Sequence, residues 1–535
     1  RQQERLGNYF ISEAPESMGV FSEMGRWVKG AMGLWAALAG GLSMVLTIKV
    51  TLLMTAGVAF GIVFGAIPGL TATMGVALGL PITFSMTPIE GLAFLCAIYI
   101  GGVSGGLISA ILLKIPGTPS SIATTFDGSP MAARGEAGRA LGIGITYSFI
   151  GTIFSLLALM FIAPPIADIA LKFGPFEYFA VSIFALTIIS SLSEGSMIKA
   201  LMSGVLGIGV TTIGAAPIDG FPRFTFGNSA LDAGFDILSV LIGMYAVAEV
   251  LEMAGNSSAE EKVNTKFKIR GLGFSFKEFK GQIVNMVRSA LIGIGVGILP
   301  GLGGATSNLI AYAAAKNSSK HPEKFGIGIM DGIVASETSN NASVGGALIP
   351  LLTLGIPGDA VTALMLGGFM IHGLTPGPLL FTNNGSLVYG IFIALFIATV
   401  LMFVLEFFGI RIFTYILKIP KHVLYPFVIV LSVIGAFGLN NRISDVYALL
   451  IFGFLGYGMN KFQYPLAPFV LGFILGPIIE TNLRRGLSFA GGNFMVIFTR
   501  PISCTFLVLT AAAVIFQIVK QVIRYRTGGK KHAEA

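Results

Sequence analysis

Two polar stretches interrupt long apolar runs and carry the side chains best suited to binding an ion or an anion. TPSSIATTFDG at 118–128 holds hydroxyl groups and a carboxylate, and ASETSNNAS at 335–343 adds the neighbouring amides Asn340 and Asn341. Hydroxyl and amide oxygens suit small cations, while hydroxyl and amide hydrogens suit carboxylates. Two adjacent amides in a membrane are costly without partners, so both stretches are candidates for a binding site.

Breaks in the helical pattern lie beside these stretches. TLGIPGDAVTALM at 353–365 contains Gly355, Pro357 and Gly358; a second IPG occurs at 115–117, and PGL occurs at 68–70 and 300–302. Proline in a helix interior costs about 3 kcal/mol and frees a carbonyl. Irregular backbone survives at membrane depth only where protein or a water-filled cavity surrounds it. The N–H end of a half-helix favours anions, and unwound carbonyls favour Na⁺.

Each feature also has a purely structural interpretation. A single Pro-Gly pair most often marks a kink or a loop turn, and Ser or Thr in a membrane helix usually bonds its own helix. Asp359 follows a glycine where a half-helix should start, so it is equally interpretable as a helix cap or a Na⁺ ligand. Lys114 fits snorkelling, pairing with an acid, or attraction of an anionic substrate.

Composition shows what must position these groups. The 535 residues are 54% hydrophobic and 11% charged, with a mean hydropathy of +0.83. Apolar blocks recur almost end to end and are continuous, which predicts an all-α polytopic membrane protein with about a dozen transmembrane passages, not a β-barrel. The net charge of +8 follows from Lys and Arg in short loops, so it does not indicate a nucleic acid partner.

The chain contains two similar halves. GIVFGAIPGL at 61–70 matches GIGVGILPGL at 293–302, and VSGGLISAILLKIPG at 103–117 matches VGGALIPLLTLGIPG at 344–358. The offsets are 232 and 241 residues. Duplicated halves with broken helices or re-entrant hairpins at corresponding positions are typical of a transporter binding site.

We expect five segments. They are an N-terminal extension (1–30), a first transmembrane repeat (31–254), a basic cytoplasmic linker (255–290), a second transmembrane repeat (291–519) and a basic C-terminal tail (520–535). Placing the linker and tail in the cytoplasm gives the second half an even number of crossings. Whether the repeats are parallel or inverted depends on the span count; the few Lys and Arg near the N-terminus favour inverted repeats.

Other functions have weaker support. GVSGG at 102–106 fits the nucleophile pattern of serine hydrolases, but none of the four histidines is placed beside Ser104 by the sequence, and the pattern is expected by chance in a glycine-rich chain. The two cysteines, Cys96 and Cys504, argue against a disulfide framework or a cysteine metal site. No P-loop is present, so transport energy would come from an ion gradient or a partner. Paired breaks disfavour a passive channel.

Two long motifs resemble the large membrane (permease) subunit of the tripartite tricarboxylate transporter family. They are IPGTPSSIATTFDGSPMAARGEAGRALG at 115–142 and PGLGGATSNLIAYAAAKNSSKHPEKFGIGIMDGIVASETSNNASVGGALIPLLTLGIPGDAVTALMLGGFMIHGLTPGPLLF at 300–381. The resemblance runs from about residue 50 to the end and implies a secondary transporter of the bacterial inner membrane. It also implies a small membrane subunit of about four spans, a periplasmic substrate-binding protein, and uptake of citrate or other carboxylates driven by a cation, usually Na⁺.

The resemblance and the breaks together predict the site. The family pattern has Asn and Tyr where this chain has Lys114 and Ser104, so the substrate is left open. No cofactor is expected apart from Na⁺ as the coupling ion of symport. The predicted substrate-binding residues are Pro68, Gly69, Leu70, Thr71, Ser120, Ser121, Thr124, Pro300, Gly301, Asn340, Asn341 and Gly358. The predicted Na⁺ ligands are Thr118, Asn340 and Asp359.

Overall fold

The computed structural model describes residues 36–192, 196–255, 272–416 and 421–531. Its helices are α1 (Ala36–Val45), α2 (Ile48–Ala66), α3 (Ala72–Ile82), α4 (Pro88–Leu112), α5 (Ile122–Met131), α6 (Ala137–Ala170), α7 (Pro175–Leu192), α8 (Met197–Thr211), α9 (Ile237–Ile242), α10 (Ala248–Gly255), α11 (Phe276–Ile298), α12 (Gly303–Ser318), α13 (Met330–Leu354), α14 (Ala360–Ile371), α15 (Pro378–Asn383), α16 (Gly385–Ile416), α17 (Lys421–Asn440), α18 (Ile443–Lys461), α19 (Leu466–Phe489), α20 (Val496–Thr499) and α21 (Pro501–Lys531). Single π-helical turns join α5 to α6 and α9 to α10. One short antiparallel pair, Gly214–Ala215 with Pro222–Arg223, lies in the loop before α9.

The helices have the lengths and surfaces of a multi-pass membrane protein. Among the described residues, eight helical segments are long and apolar enough to cross a bilayer. Their outer faces expose large apolar side chains such as Phe161, Phe408 and Phe454, whereas Glu337 and Glu406 are fully buried. An apolar exterior around buried ionisable groups is the arrangement that lipid requires. The all-α polytopic class is confirmed, and the count of about a dozen passages stays a prediction.

Both PGL sequences end a helix as expected. α2 ends at Ala66 and α3 begins after Thr71, whose hydroxyl accepts the N–H of Met74. α11 ends at Ile298, and α12 begins at Gly303. Gly69 and Gly301 have φ values of +91° and +79°, a region that side chains with a Cβ disfavour. Glycine therefore makes these turns possible at the same place in each half.

Both IPG sequences also follow a helix end. α13 ends at Gly355, which adopts the left-handed conformation, and the matching position of the first half is Lys114, with φ +59°. A left-handed residue after a helix supplies N–H groups to its last free carbonyls. The exposed Lys114 thus occupies a helix-ending position. The Asn of the family pattern would also fit there, because Asn adopts the left-handed conformation more readily than most residues.

Small residues set the contacts inside each half. α2 packs on α4 and α11 packs on α13. A Cβ at Gly61 would overlap the carbonyl oxygen of Ile98, and a Cβ at Gly293 would overlap that of Ser339. These two pairs are related by the same two offsets, 232 and 241 residues, as the sequence matches. The matching contacts agree with a duplication of the two halves.

Two helix bounds differ from the expected segment limits. α11 begins at Phe276, inside the predicted 255–290 linker, because Ser275 and Glu278 form a reciprocal capping box; the lysines on its first turns hid this start. Residues 256–271 of the linker and the predicted extension 1–30 lie outside the described residues. α21 continues through the predicted tail to Lys531.

Candidate functional site

The polar face of α13 lies in the middle of the molecule. Residues 332–353 are buried, and Glu337 and Asn341 lie one helical turn apart. The Oε1 of Glu337 accepts a short hydrogen bond from Thr124, and its Oε2 accepts bonds from Ser148 at 2.9 Å and from Asn341 Nδ2 at 3.3 Å. Thr124 also shares a 2.9 Å hydrogen bond with Ser336. Glu337 therefore joins α5 and α6 to α13, and Thr124 serves this network.

The side chain of Asn340 contacts α4 and the start of α12. Its Nδ2 donates to the carbonyl of Val103 at 3.4 Å, while its Oδ1 has no hydrogen-bond partner among the described residues. A Cβ at Gly304 would overlap this Oδ1, and it would lie 2.9 Å from Ser120 Cβ and 3.1 Å from Ser343 Oγ. The backbone at Gly304 thus brings Asn340 and Ser120 to the same point.

The side chains at the first IPG break, residues 118–121, are uncharged, and an amide oxygen beside them lacks a hydrogen-bond partner among the described residues. Thr118 and Ser120 share a 2.9 Å hydroxyl hydrogen bond, and Ser121 Oγ accepts the N–H of Thr118 at 3.3 Å. Asn308 Nδ2 donates to the carbonyl of Ser120 at 2.5 Å, but the Oδ1 of Asn308 has no partner among the residues that the structure describes. This break therefore packs on the helix that follows the PGL of the other half.

At the second IPG break, both carboxylate oxygens of Asp359 accept hydrogen bonds. Asp359 Oδ1 accepts the N–H of Thr362 at 2.8 Å and its hydroxyl at 2.7 Å, and Oδ2 accepts the Tyr99 hydroxyl at 2.6 Å. The N–H of Gly301 donates to the carbonyl of Gly358 at 2.7 Å, so the two breaks of the second half are tied directly. The structure gives Asp359 the capping role; its role as an ion ligand stays a prediction.

Three half-helix N-termini meet at these breaks. Gly304 contacts Ser120 at the start of α5, and the preceding Gly303 contacts Asp359 at the start of α14. The first turn of α12 thus lies between the other two. A small cleft adjoins Asp359 on the side of α19. It is lined by Ile189, Tyr245, Gly301, Pro357, Asp359, Ala360, Ala363, Ala467, Val470 and Leu471.

The first PGL break adjoins the first IPG break, because a Cβ at Gly117 would overlap the carbonyl oxygen of Gly65, three residues before Pro68. Gly69 faces the side chain of Met253, and Leu70 is buried. Ala72, the first residue of α3, contacts Gly102, one turn along α4 from Gly106, which contacts Thr118. Of the predicted residues, the structure brings together Thr118, Ser120, Ser121, Gly301, Asn340, Gly358 and Asp359. Pro68, Gly69, Leu70 and Thr71 follow the end of α2, which contacts the first IPG break at Gly117. Pro300 lies next to Gly301 in the chain.

Several buried polar atoms near α13 have no partner among the described residues. They are Asn308 Oδ1, Thr338 Oγ1, Ser339 Oγ, Asn340 Oδ1, Asn341 Oδ1 and Glu406 Oε1. A buried polar atom without a partner costs about 1–3 kcal/mol, and such atoms are usually satisfied by water, an ion or a ligand. Amide oxygens and hydroxyls are ligands that an alkali cation accepts, so this group has the chemistry of a cation and carboxylate site.

Asn308, Tyr99 and Glu406 were missed as site candidates. Glu406 carried a visible signal, since it is a single acid within the apolar run 385–408, and an acid in a span is a functional candidate by default. Tyr99 carried no signal, because its partner Asp359 lies 260 residues away.

The hydrolase alternative lacks its geometry. Ser104 lies inside α4, not at a strand-to-helix turn, and it donates to Glu406 Oε2 at 2.8 Å. His372 contacts Gly91 near the start of α4, about 20 Å from Ser104 along the helix. His372 is therefore too far away to act as the base for Ser104.

Comparison with known proteins decides the family. The profile described as "Tripartite tricarboxylate transporter TctA family" matches residues 51–471. The chain belongs to this family. It is therefore a member of a transporter family whose name denotes a three-part system, which confirms the resemblance.

Two relatives from Agrobacterium vitis are similar along the chain. One, described as an uncharacterized 52.8 kDa protein in the TAR-I ttuC' 3' region, is 37% identical over 456 residues, covering 85% of this chain and 90% of the relative. The other, an uncharacterized protein in the TAR-II ttuC' 3' region, is 37% identical over 227 residues, covering 42% of this chain and 94% of the relative. No solved structure matches.

Proposed function

We propose that this chain is the permease of a secondary active importer that takes up tricarboxylates, such as citrate, or related carboxylates. It works in the bacterial inner membrane by symport with a cation, Na⁺, and receives substrate from a periplasmic binding protein. A small membrane subunit of about four spans completes the system. The observation that carries the proposal is the meeting of three half-helix N-termini with unpartnered amide oxygens at Ser120, Gly304 and Asn340.

The substrate would bind where N–H groups are exposed. The first turns of α5 and α12 present backbone N–H groups and the hydroxyls of Thr118 and Ser120, all suited to carboxylate oxygens. A tricarboxylate carries several negative charges, and burying them without compensation is costly. A cation bound beside the anion removes much of that cost.

The amide oxygens would hold that cation. The Oδ1 atoms of Asn340 and Asn308 are unpartnered and approach the same break. Na⁺ prefers neutral and carboxylate oxygens, so these atoms together with Thr118 make a reasonable ligand set. Asp359 is a weaker candidate, because its two oxygens already accept three hydrogen bonds.

We also propose that residues 31–254 and 291–519 are inverted repeats. The matching helix ends and the matching glycine contacts support this duplication. Access would alternate as one packed unit moves past another, in an elevator-like motion inferred by analogy with other importers that use binding proteins.

Reconstitution tests the proposal directly. The chain is placed in proteoliposomes with its small membrane subunit, and radiolabelled citrate is offered with the cognate binding protein. We expect citrate to accumulate above its external concentration under an inward Na⁺ gradient, and to fail to accumulate with K⁺ instead or without the binding protein. Equal uptake in Na⁺ and K⁺ would refute the coupling, and uptake that never exceeds equilibrium would indicate a channel.

A further inference from the structure

Glu406 is a membrane-embedded carboxyl group with a single hydrogen bond. It lies on α16 within the candidate span Gly385–Phe413 and is fully buried. Its Oε2 accepts the Ser104 hydroxyl at 2.8 Å, and its Oε1 has no partner among the described residues. An ionised carboxylate in this setting would lose its hydration and regain one hydrogen bond. The neutral, protonated form is the stable one.

Glu337, on α13, is a second fully buried carboxyl group. None of the ion pairs within the described ranges includes either residue. Glu337 has donors in Thr124, Ser148 and Asn341, which stabilise a charge. Among the described residues Glu406 has only the Ser104 hydroxyl, so of the two carboxyl groups Glu406 favours the neutral form more strongly.

The helices packed against α16 include α2, α4 and α6. Their ionisable side chains are Lys49 on α2, Glu90, Cys96 and Tyr99 on α4, and Arg139, Tyr147 and Asp168 on α6, with Tyr389 and Arg411 on α16 itself. Lys49 pairs with Glu90, Arg139 pairs with Glu136 and Glu278, and Tyr99 bonds Asp359.

A short path joins Glu406 to the candidate site. Ser104, which bonds Glu406, follows Val103, whose carbonyl accepts Asn340 Nδ2. A ligand that draws Asn340 toward Ser120 would weaken the bond to Val103 and shift this turn of α4. We propose that Glu406 is a proton-binding site, which takes up a proton from water and releases it to water as the substrate site fills and empties.

Infrared spectroscopy tests the protonation without transport. The difference spectrum between wild type and Glu406→Gln at neutral pH should contain the C=O stretch of one protonated carboxylic acid. Glu406→Gln is isosteric and can still accept the Ser104 hydroxyl, so folding is retained. Glu323→Gln, on an exposed loop, is the control and should lack that band in its difference spectrum. Absence of the band from the Glu406→Gln difference would overturn the proposal.

A transport assay tests whether the proton is released. This second experiment rests on the proposed function, because it requires citrate uptake. Citrate uptake is measured with equal Na⁺ on both sides, a clamped membrane potential and an inward proton gradient. Wild type should respond to the proton gradient, Glu406→Gln should lose the response, and Glu406→Asp should keep it. The protonation of citrate itself changes with pH in the same way for wild type and both variants, so it cannot cause a difference between them. A wild type without response, or a Glu406→Gln variant that keeps it, overturns proton release. Failure of a Na⁺ gradient to drive wild-type uptake would refute Na⁺ coupling alone.

Discussion

The two IPG breaks occupy matching places in the sequence but satisfy their polar groups differently. At the second break, Asp359 caps α14, and Tyr99 from the other half completes its bonding. At the first break, Thr118 stands in place of Asp359, and Asn340 stands in place of Tyr99. The amide oxygen of Asn340 has no hydrogen-bond partner in the described part of the chain.

The difference supports the proposal that the first break binds ligand while the second break has a structural role. The carboxylate of Asp359 uses both oxygens to hold backbone and side chains of the protein itself, so little of its bonding capacity remains. The first break keeps neutral hydroxyls and leaves amide oxygens free, which is what a ligand needs. Substrate and ion should therefore bind at the first break, while the second break stabilises the helix ends.

The largest effect is expected from Asn340→Ala. Removing the amide deletes an unpartnered oxygen of the binding break, and we expect citrate uptake per folded protein to fall roughly 100-fold, equivalent to about 2.8 kcal/mol. Asn383→Ala, on the exposed end of α15, is the matched control and should transport normally. Undiminished uptake by a well-folded Asn340→Ala variant would remove the first break from the site.

Next in size is the effect of a methyl group between α11 and α13. Gly293→Ala would press Cβ into the Ser339 carbonyl, and we expect it to lower the free energy of unfolding by about 2 kcal/mol. Gly61→Ala should cost a similar amount if the halves are duplicates. The melting temperature in detergent measures both changes.

Gly295→Ala is the control for these variants, because nothing lies within 4 Å of its added Cβ. It should be neutral or slightly stabilising, since alanine is favoured over glycine in a helix. Equal losses at Gly293 and Gly295 would show that the backbone contact does not matter.

A smaller effect is expected at the second break. Asp359→Ala removes a helix cap and should cost about 1 kcal/mol of stability, whereas Asp359→Asn should retain most of the cap. Citrate uptake per folded Asp359→Asn protein should keep its Na⁺ dependence. A higher Na⁺ concentration for half-maximal uptake in Asp359→Asn would instead identify Asp359 as an ion ligand.

The smallest effect lies outside both breaks, in the 212–236 loop. A hydrogen bond from the Arg484 guanidinium holds the pKa of the exposed Asp219 below its ordinary 3.8. A lowered pKa stabilises the fold above the ordinary value, and this stability is lost as the pH falls through the lower, folded value. Asp219→Asn should therefore melt slightly earlier than wild type at pH 7 and equally at strongly acidic pH. Asp232→Asn in the same loop is the control, and a difference that persists in acid would contradict the pairing.

Local chemistry made part of this structure predictable. The PGL and IPG sequences predicted helix ends near Ala66, Leu112, Ile298 and Leu354, because glycine and proline act on their own backbone whatever surrounds them. The cost of adjacent amides marked Asn340 and Asn341 as unusual. The start of α11 at Phe276 was not predicted, because its lysines resemble those of the linker, although the capping box at Ser275 and Glu278 marks it.

Long-range pairing was not predictable in the same way. Asn308 meets Ser120 across 188 residues, and Ser104 meets Glu406 across 302. Hydropathy indicates that each helix is embedded in the membrane but not which helices touch, since any apolar face fits lipid or another helix. The convergence of the half-helix N-termini on Gly304 therefore emerges only from the folded chain.

The glycine contacts of α2 with α4 and of α11 with α13 also have a mechanical consequence. Where backbone rests on backbone, no side chain can change rotamer to absorb a displacement, so each helix pair is stiff against sliding. Contacts made by large side chains are more compliant, as between Phe149 of α6 and Phe403 of α16, whose rings lie 5.1 Å apart. We expect elastic deformation during transport to concentrate at such aromatic contacts, while the two helix pairs transmit force without changing shape.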